Sequence, residues 1–271
     1  MIAVTFLPGS ARAAADNLPL MFDARERLPR PDLSTLVRLR ILTTVDFPPL
    51  NFADQTGRLS GFNVDLARDI CAELKIEAKC QIQPLPYDQL EAALEGGNGE
   101  AVMAGIAVTP DLRRRFAFSR PYTGIPGRFV RNLSARMGNG VAAMALAGRP
   151  VGVVRDTAHE AMAKVFFPRL SLVSFDSYDA MMDGLKQGKV DAVFGDGLRL
   201  PFWVAGDASA KCCTLFDGPY LSEKFLGEGL SVMLRNNDPA LVSAFDQALS
   251  ELARNGRLQD LYLRYFPNGL Y

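Results

Sequence analysis

The sequence predicts an α/β protein of two similarly built lobes, joined by two crossings of the chain with a cleft between them. Three observations point there. Short apolar runs of strand length alternate with helix-period stripes along the chain. One phrase occurs twice: Tyr87-Asp88 opens a helix and an acidic-Ala-Val strand begins at Glu100, 13 residues on, just as Tyr178-Asp179 leads to Asp191 at the same spacing. After Gly227-Glu228-Gly229 a strand, Leu230–Leu234, runs back toward the first half. Two crossings make a hinge, and a hinged cleft is suited to trapping a small molecule.

Residues 1–15, MIAVTFLPGSARAAA, are apolar and small, with Ala13-Ala14-Ala15 at a cleavage-like position, and read as the remnant of a secretory signal whose start lies upstream. The alternative is an unstructured N-terminus. Residues 16–37 are rich in proline and charge and read as an N-terminal arm.

The stretch Arg40–Leu66 organises the first lobe. A short strand stops at Asp46-Phe47-Pro48-Pro49, a polar turn follows at Asp54–Gly57, and Asn63 is expected as the N-cap of a helix carrying Phe62, Leu66, Ile70 and Leu74 on one stripe. An aromatic on a loop at the carboxyl end of a strand lies where open α/β sheets place ligands. Next come a strand over Lys79–Gln83, a helix over Tyr87–Glu95 and a buried strand Ala101–Ala104. A Pro/Gly-rich connection, Thr123–Gly127, leads into Arg128–Val130 and the second lobe. There follow Pro150–Val154, a helix start at Asp156-Thr157-Ala158, Ser171–Phe175 and Asp191–Phe194. Asp238-Pro239 should cap a helix with Leu241, Phe245, Leu249 and Leu252 on one stripe. It breaks at Asn255-Gly256, and a last helix should pack on the first lobe. The lobes are therefore expected at 38–125 plus 230–271 and at 128–226.

Lys plus Arg and Asp plus Glu number 30 each, a balance that argues against a nucleic-acid footprint or a polybasic membrane patch. No apolar run approaches the length of about 18 residues needed to span a bilayer. Four cysteines are present. Cys71 and Cys80 can form a local disulfide if the chain is exported, whereas adjacent Cys212 and Cys213 are expected as free or core thiols. With one histidine, His159, and no CxxC, a zinc site has almost no support.

These residues together resemble the polar amino-acid-binding proteins of ABC importers, extracellular solute-binding protein family 3, over roughly Leu39 to Pro267. The match rests on the Asp46–Phe52 loop, Gly61-Phe62-Asn63-Val64-Asp65-Leu66, Ala104-Gly105-Ile106-Ala107-Val108-Thr109 and Phe118-Ser119-Arg120-Pro121-Tyr122. It continues through Val190-Asp191-Ala192-Val193 with Asp196 to Tyr265-Phe266-Pro267. The resemblance implies a type II periplasmic-binding-protein fold and a monomeric periplasmic carrier without cofactor. Such a carrier holds a small polar or cationic solute, an amino acid or amine, and delivers it to an inner-membrane ABC permease. It also assigns ligand roles: Phe47 and Tyr87 as aromatic clamps, Asp196 for an ammonium group, Gly105 for close backbone approach, and Thr157 at a helix N-terminus suited to anions.

Two positions depart from the family pattern: Leu112 stands where an arginine grips a carboxylate, and Ala107 where a threonine helps. Loss of a bidentate guanidinium removes the strongest carboxylate contact such a site offers. Arg113, Arg128 and Arg155 are possible substitutes. Against these roles stand plainer ones. Phe47 and Tyr87 can be core aromatics, Asp196 an inter-lobe ion-pair partner, and Arg113-Arg114-Arg115 a solvated run. Glu228 is expected as a hinge or lobe-contact residue, His159 as capping or exposed with a pocket role as the alternative, and Trp203 as packing. The other functions that the fold supports are a cyclohexadienyl-dehydratase-like enzyme, with Asp196 or Glu228 as acid, and a ligand-sensing module.

Overall fold

The computed structural model describes residues 22–267 except 24, 107 and 138–140. The expected signal remnant at 1–15 and the family departure at Ala107 lie outside the described residues.

Two five-stranded sheets form the frame. The first runs in the order Cys80–Pro84, Leu39–Thr43, Ala101–Val102, Met233–Arg235, Phe116–Phe118. Its first three strands are parallel, and Met233–Arg235 is antiparallel to both neighbours. The second has the order Ser171–Phe175, Pro150–Val154, Ala192–Asp196, Gly127–Asn132, Cys213–Tyr220, again three parallel strands followed by an antiparallel one. In each sheet the antiparallel strand is the one that enters from the other lobe. The two Tyr-Asp segments occupy equivalent places, each leading into the central strand of its five-stranded sheet. The repeated phrase in the sequence is thus one structural plan used twice.

The crossings lie side by side. Leu230 pairs with Thr123 as an antiparallel bridge, Leu230 N–H donating to Thr123 O at 2.8 Å and Tyr122 N–H donating to Leu230 O at 2.8 Å. Expected strand Leu230–Leu234 is therefore split into this bridge and Met233–Arg235. Smaller differences of boundary appear at Cys80–Pro84, Ala101–Val102 and Gly127–Asn132, while Pro150–Val154 and Ser171–Phe175 fall where the pattern put them. Tyr87–Glu95 divides into a 3₁₀ turn, Tyr87–Gln89, and a helix, Leu90–Glu95.

The helix Phe62–Glu73 starts differently from expectation. Its N-cap is Gly61, not Asn63, and no side chain caps it. Gly61 has φ +125°, and a Cβ there would lie 2.3 Å from Leu50 O, so the chain passes too close to the preceding loop for any side chain. Asn63 is instead fully buried. Its amide donates to Asn51 Oδ1 at 3.0 Å and its Oδ1 accepts from Tyr122 OH at 2.9 Å. That network ties the first loop and first helix to the crossing segment, and burial pushes the Tyr122 phenol pKa up.

Phe62, Leu66 and Ile70 pack with Leu241, Phe245, Leu249, Leu258, Leu261 and Tyr262 in the lobe-one core. Asp238 caps the helix Pro239–Arg254 by accepting from Leu241 N–H, and Arg257–Tyr265 folds back so that Tyr265 meets Phe62 edge-on. Phe22, at the start of the described chain, is buried in the same core, and Glu26 pairs with Arg120. The described residues between Phe22 and Val37 thus run as a strap over lobe one, without helix or strand. Lobe two is built round Phe129, Phe194, Val151 and Val153 on one side of its sheet, and Val130, Val193, Met181 and Leu185 on the other, where Trp203 also packs.

Cys71 and Cys80 form a disulfide. So do Cys212 and Cys213, which corrects the expectation of two free thiols. Cys212 precedes the strand that Cys213 opens, after a turn through Ala210 and Lys211, both with positive φ.

Candidate functional site in the interlobe cleft

A cavity of about 640 Å³ lies between the lobes at the carboxyl ends of the parallel strands of both sheets. Lobe one contributes Phe47, from the short strand Asp46–Phe47 that follows Leu39–Thr43, and Gly105, Val108, Thr109 and Pro110, from the segment after Ala101–Val102. Lobe two contributes Asp196 at the end of Ala192–Asp196, Leu198 just beyond it, and Ala158 and His159 in the first turn of the helix after Pro150–Val154. Ile125, Glu228 and Leu230, from the two crossings, line it as well, and the turn of helix Glu223–Leu226 closes one side.

Of the five residues expected to hold a ligand, Phe47, Gly105 and Asp196 line this cavity together. Gly105 has φ +76°, and a Cβ on it would sit 2.9 Å from Phe47 Cε1, so a bare backbone is what lets the ring lie where it does. Phe47 also packs against the lobe-one core, so the clamp and core readings of this ring coincide. Asp196 accepts a hydrogen bond from Leu198 N–H at 2.7 Å and has no ion-pair partner among the described residues. The inter-lobe ion pair considered for it is therefore not formed.

Tyr87 and Thr157 are outside the cavity lining. Tyr87 stands 59% exposed on its turn, beside exposed Asp88 and Gln89. An aromatic at a helix start marks a loop but does not fix the direction of its side chain. Thr157 is committed to its own helix: its hydroxyl donates to Val154 O at 2.7 Å and accepts from Glu160 N–H at 3.2 Å. Glu160 reaches back past the N-cap to accept from Asp156 N–H at 3.0 Å, a one-residue variant of the reciprocal cap. Thr157-x-x-Glu160 is the sequence signature of that motif and could have been recognised as such.

Sequence reasoning favoured His159 as capping or exposed over a pocket role; it lines the cleft instead. Its ring meets Phe194 edge-on, and its Nε2 is buried without a hydrogen-bond partner. Desolvation lowers the imidazole pKa, and the Asp196 carboxylate pulls in the opposite direction. Glu228 lines the cavity mouth and pairs with Arg113, whose Nε donates to Oε1 at 3.1 Å and whose Nη2 donates to Oε2. Arg113 is exposed and outside the cavity lining, joined to it only through Glu228, and Arg114 and Arg115 pair with Asp111 and with Glu91 and Glu95 outside the cleft, so the run is solvated as expected. Arg155, another possible substitute, pairs with exposed Asp176. Leu112 packs on the lobe-one cluster of Leu42, Leu90, Leu94 and Phe116.

No group of three or more His, Cys, Asp or Glu that could hold a metal ion occurs among the described residues. Among the same residues no helix is long and apolar enough to cross a membrane.

Residues 39–268 match the family model of the bacterial extracellular solute-binding proteins, family 3. The chain belongs to that family. Among its relatives, the L-arginine-binding protein of Pseudomonas aeruginosa is 28% identical, over 86% of this chain and 89% of that protein. ABC transporter arginine-binding protein 1 of Escherichia coli (strain K12) is 24% identical, over 86% and 93%. The crystal structure of the ancestral amino acid-binding protein AncCDT-1, a precursor of cyclohexadienyl dehydratase, superposes with a TM-score of 0.60 at 24% identity, over 86% of this chain and 97% of that one. The likeness confirms the two-lobed type II periplasmic-binding-protein fold.

Proposed function

We propose that this chain binds a small cationic or amino-acid-like solute between its lobes in the periplasm. The loaded, closed form is then presented, as a monomer, to an ABC permease of the inner membrane. The observation that carries this reading is the cleft itself. Phe47 and Gly105 on one lobe face Asp196 and His159 on the other, across a pair of crossings held together by the Thr123–Leu230 bridge. A solute touching both walls binds the closed arrangement more tightly than the open one, and closure is the resulting population shift. Asp196 supplies a carboxylate for a cationic group, and Phe47 supplies an aromatic ring for stacking or for a cation. The names of the relatives, as arginine-binding proteins, support the solute class.

The boundaries we propose for the lobes are 38–125 with 230–271 and 128–226, and we propose no catalytic step. A dehydratase would require a cleft carboxyl that gives up a proton. Here Glu228 is engaged by Arg113 and Asp196 by Leu198 N–H, both as acceptors, an arrangement suited to holding a donor.

Thermal unfolding of the ligand-stripped protein across amino acids, polyamines, quaternary amines and small carboxylates tests the reading. A ligand at about 100 times its Kd adds about 2.7 kcal/mol of stability, a readily measured rise in Tm. The expected result is a solute whose shift disappears in Asp196→Ala. Silence across the panel, with turnover of prephenate, would instead identify an enzyme.

A further inference from the structure

The charges of the cleft narrow the class of solute, an inference that rests on the solute-binding reading above. Its walls are largely apolar, formed by Phe47, Val108, Ile125, Leu198, Leu226 and Leu230. Of its charged side chains, Glu223, Lys224 and Glu228 are exposed at the rim, and the Asp196 carboxylate is the one drawn in among the apolar walls. Lys224 holds its ammonium over its neighbour Phe225, 5.4 Å from the ring centroid.

The Arg113 guanidinium, which pairs with Glu228 of the lining, is already occupied. Both Nε and Nη2 of Arg113 are filled by the two oxygens of Glu228. Glu228 takes the Nε–Nη2 edge of Arg113 and offsets its charge, so a second carboxylate would meet only the remaining Nη edge of an already neutralised group. One residue earlier, Leu112 is anchored in the lobe-one cluster beside Leu90 and Phe116, so the helix Pro110–Arg115 cannot rotate a different cation inward without exposing that leucine. A carboxylate entering this cleft would lie near Asp196, a like charge, in apolar surroundings where an unpaired ion is costly. An ammonium group would meet the opposite situation, with Asp196 to pair with and the Phe47 ring to lie against.

We infer that the cleft selects an organic amine cation that lacks a free carboxylate, and that the Arg113–Glu228 pair and Leu112 are its specificity-determining elements. The selected solutes are alkyl or aromatic amines whose apolar body covers the walls while the cationic nitrogen reaches Asp196. Amino acids carrying the same side chains are rejected by their carboxylate.

Calorimetric titration of the ligand-stripped protein with matched pairs tests this: agmatine and arginine, cadaverine and lysine, putrescine and ornithine, histamine and histidine. Each pair differs by the carboxylate alone. The expected result is that the amine binds at least tenfold more tightly than its amino acid in the pair that binds best, and that Asp196→Asn abolishes both. In Glu228→Ala the freed Arg113 should improve binding of the amino-acid member and narrow the ratio. An amino acid binding more tightly than its amine in the wild-type protein overturns the inference and leaves the solute-binding reading intact. An unchanged ratio in Glu228→Ala overturns the role given to the ion pair. If none of the eight binds but another solute in the wider thermal panel does, the inference fails alone; if that panel is silent too, the solute-binding reading fails with it.

Discussion

At the scale of single residues, the ring of Phe47 packs on the lobe-one core and against the bare backbone of Gly105, and still reaches the cleft. His159 faces it from lobe two, with Asp196 at the end of the neighbouring strand; Glu223, Lys224 and Glu228 are the remaining charges of the lining. Glu160, on the same helix, is engaged by Ser174, Lys164 and Asp156 N–H. With its pKa lowered by desolvation, the imidazole is neutral at neutral pH and takes up a proton only below the ordinary value of about 6.5. The sign follows. Protonation adds a positive charge beside Asp196, so the affinity for a cationic solute should fall as the pH drops below about 6.5, and His159→Gln should flatten the fall. Titrations above and below that pH check this, and an identical decline in His159→Gln would contradict it. Phe47, Gly105 and Asp196, assigned by the family resemblance, reach the cleft because each lies at or within a few residues of the carboxyl end of a parallel strand. Thr157 and Tyr87 do not, because the hydroxyl finds local partners in its own helix turn and the ring's direction depends on a turn that sequence does not fix.

At the scale of elements, the buried network Asn51–Asn63–Tyr122 holds the first helix against the crossing segment. Tyr122→Phe removes the donor to Asn63 Oδ1 and leaves a fully buried acceptor without it. The expected cost is about 1–3 kcal/mol, read as a lower denaturation midpoint in urea. A cost below about 0.5 kcal/mol would mean that the network contributes little. The helices themselves were readable from their apolar stripes. The start of Phe62–Glu73 was misread because an asparagine near a helix start has two uses, capping the backbone or joining a buried network. The choice here is made by Tyr122, 59 residues away in sequence. The bond between Cys212 and Cys213 was missed for a similar reason. It depends on where the strand begins, and strand boundaries are the least certain feature of a sequence pattern.

At the scale of the molecule, the recurring Tyr-Asp phrase proved to be the most informative feature of the sequence, since it marks the same helix–strand unit in two sheets of one plan. The sheets' antiparallel strands arrive through adjacent crossings, and the only routes between lobes in the described chain run through Thr123–Gly127 and Gly227–Leu230. Closure about these segments is the central claim. Asp88 and Asp179 are exposed and follow the two tyrosines, at equivalent places on the cleft side of each lobe. The most direct measurement is the distance between nitroxide labels at Asp88→Cys and Asp179→Cys, followed while the best-binding solute is added. The account predicts a shorter distance on saturation, and no change in the same titration once Asp196→Ala is introduced. A solute that binds with the distance unchanged, or that shortens it equally well without the Asp196 carboxylate, would contradict it.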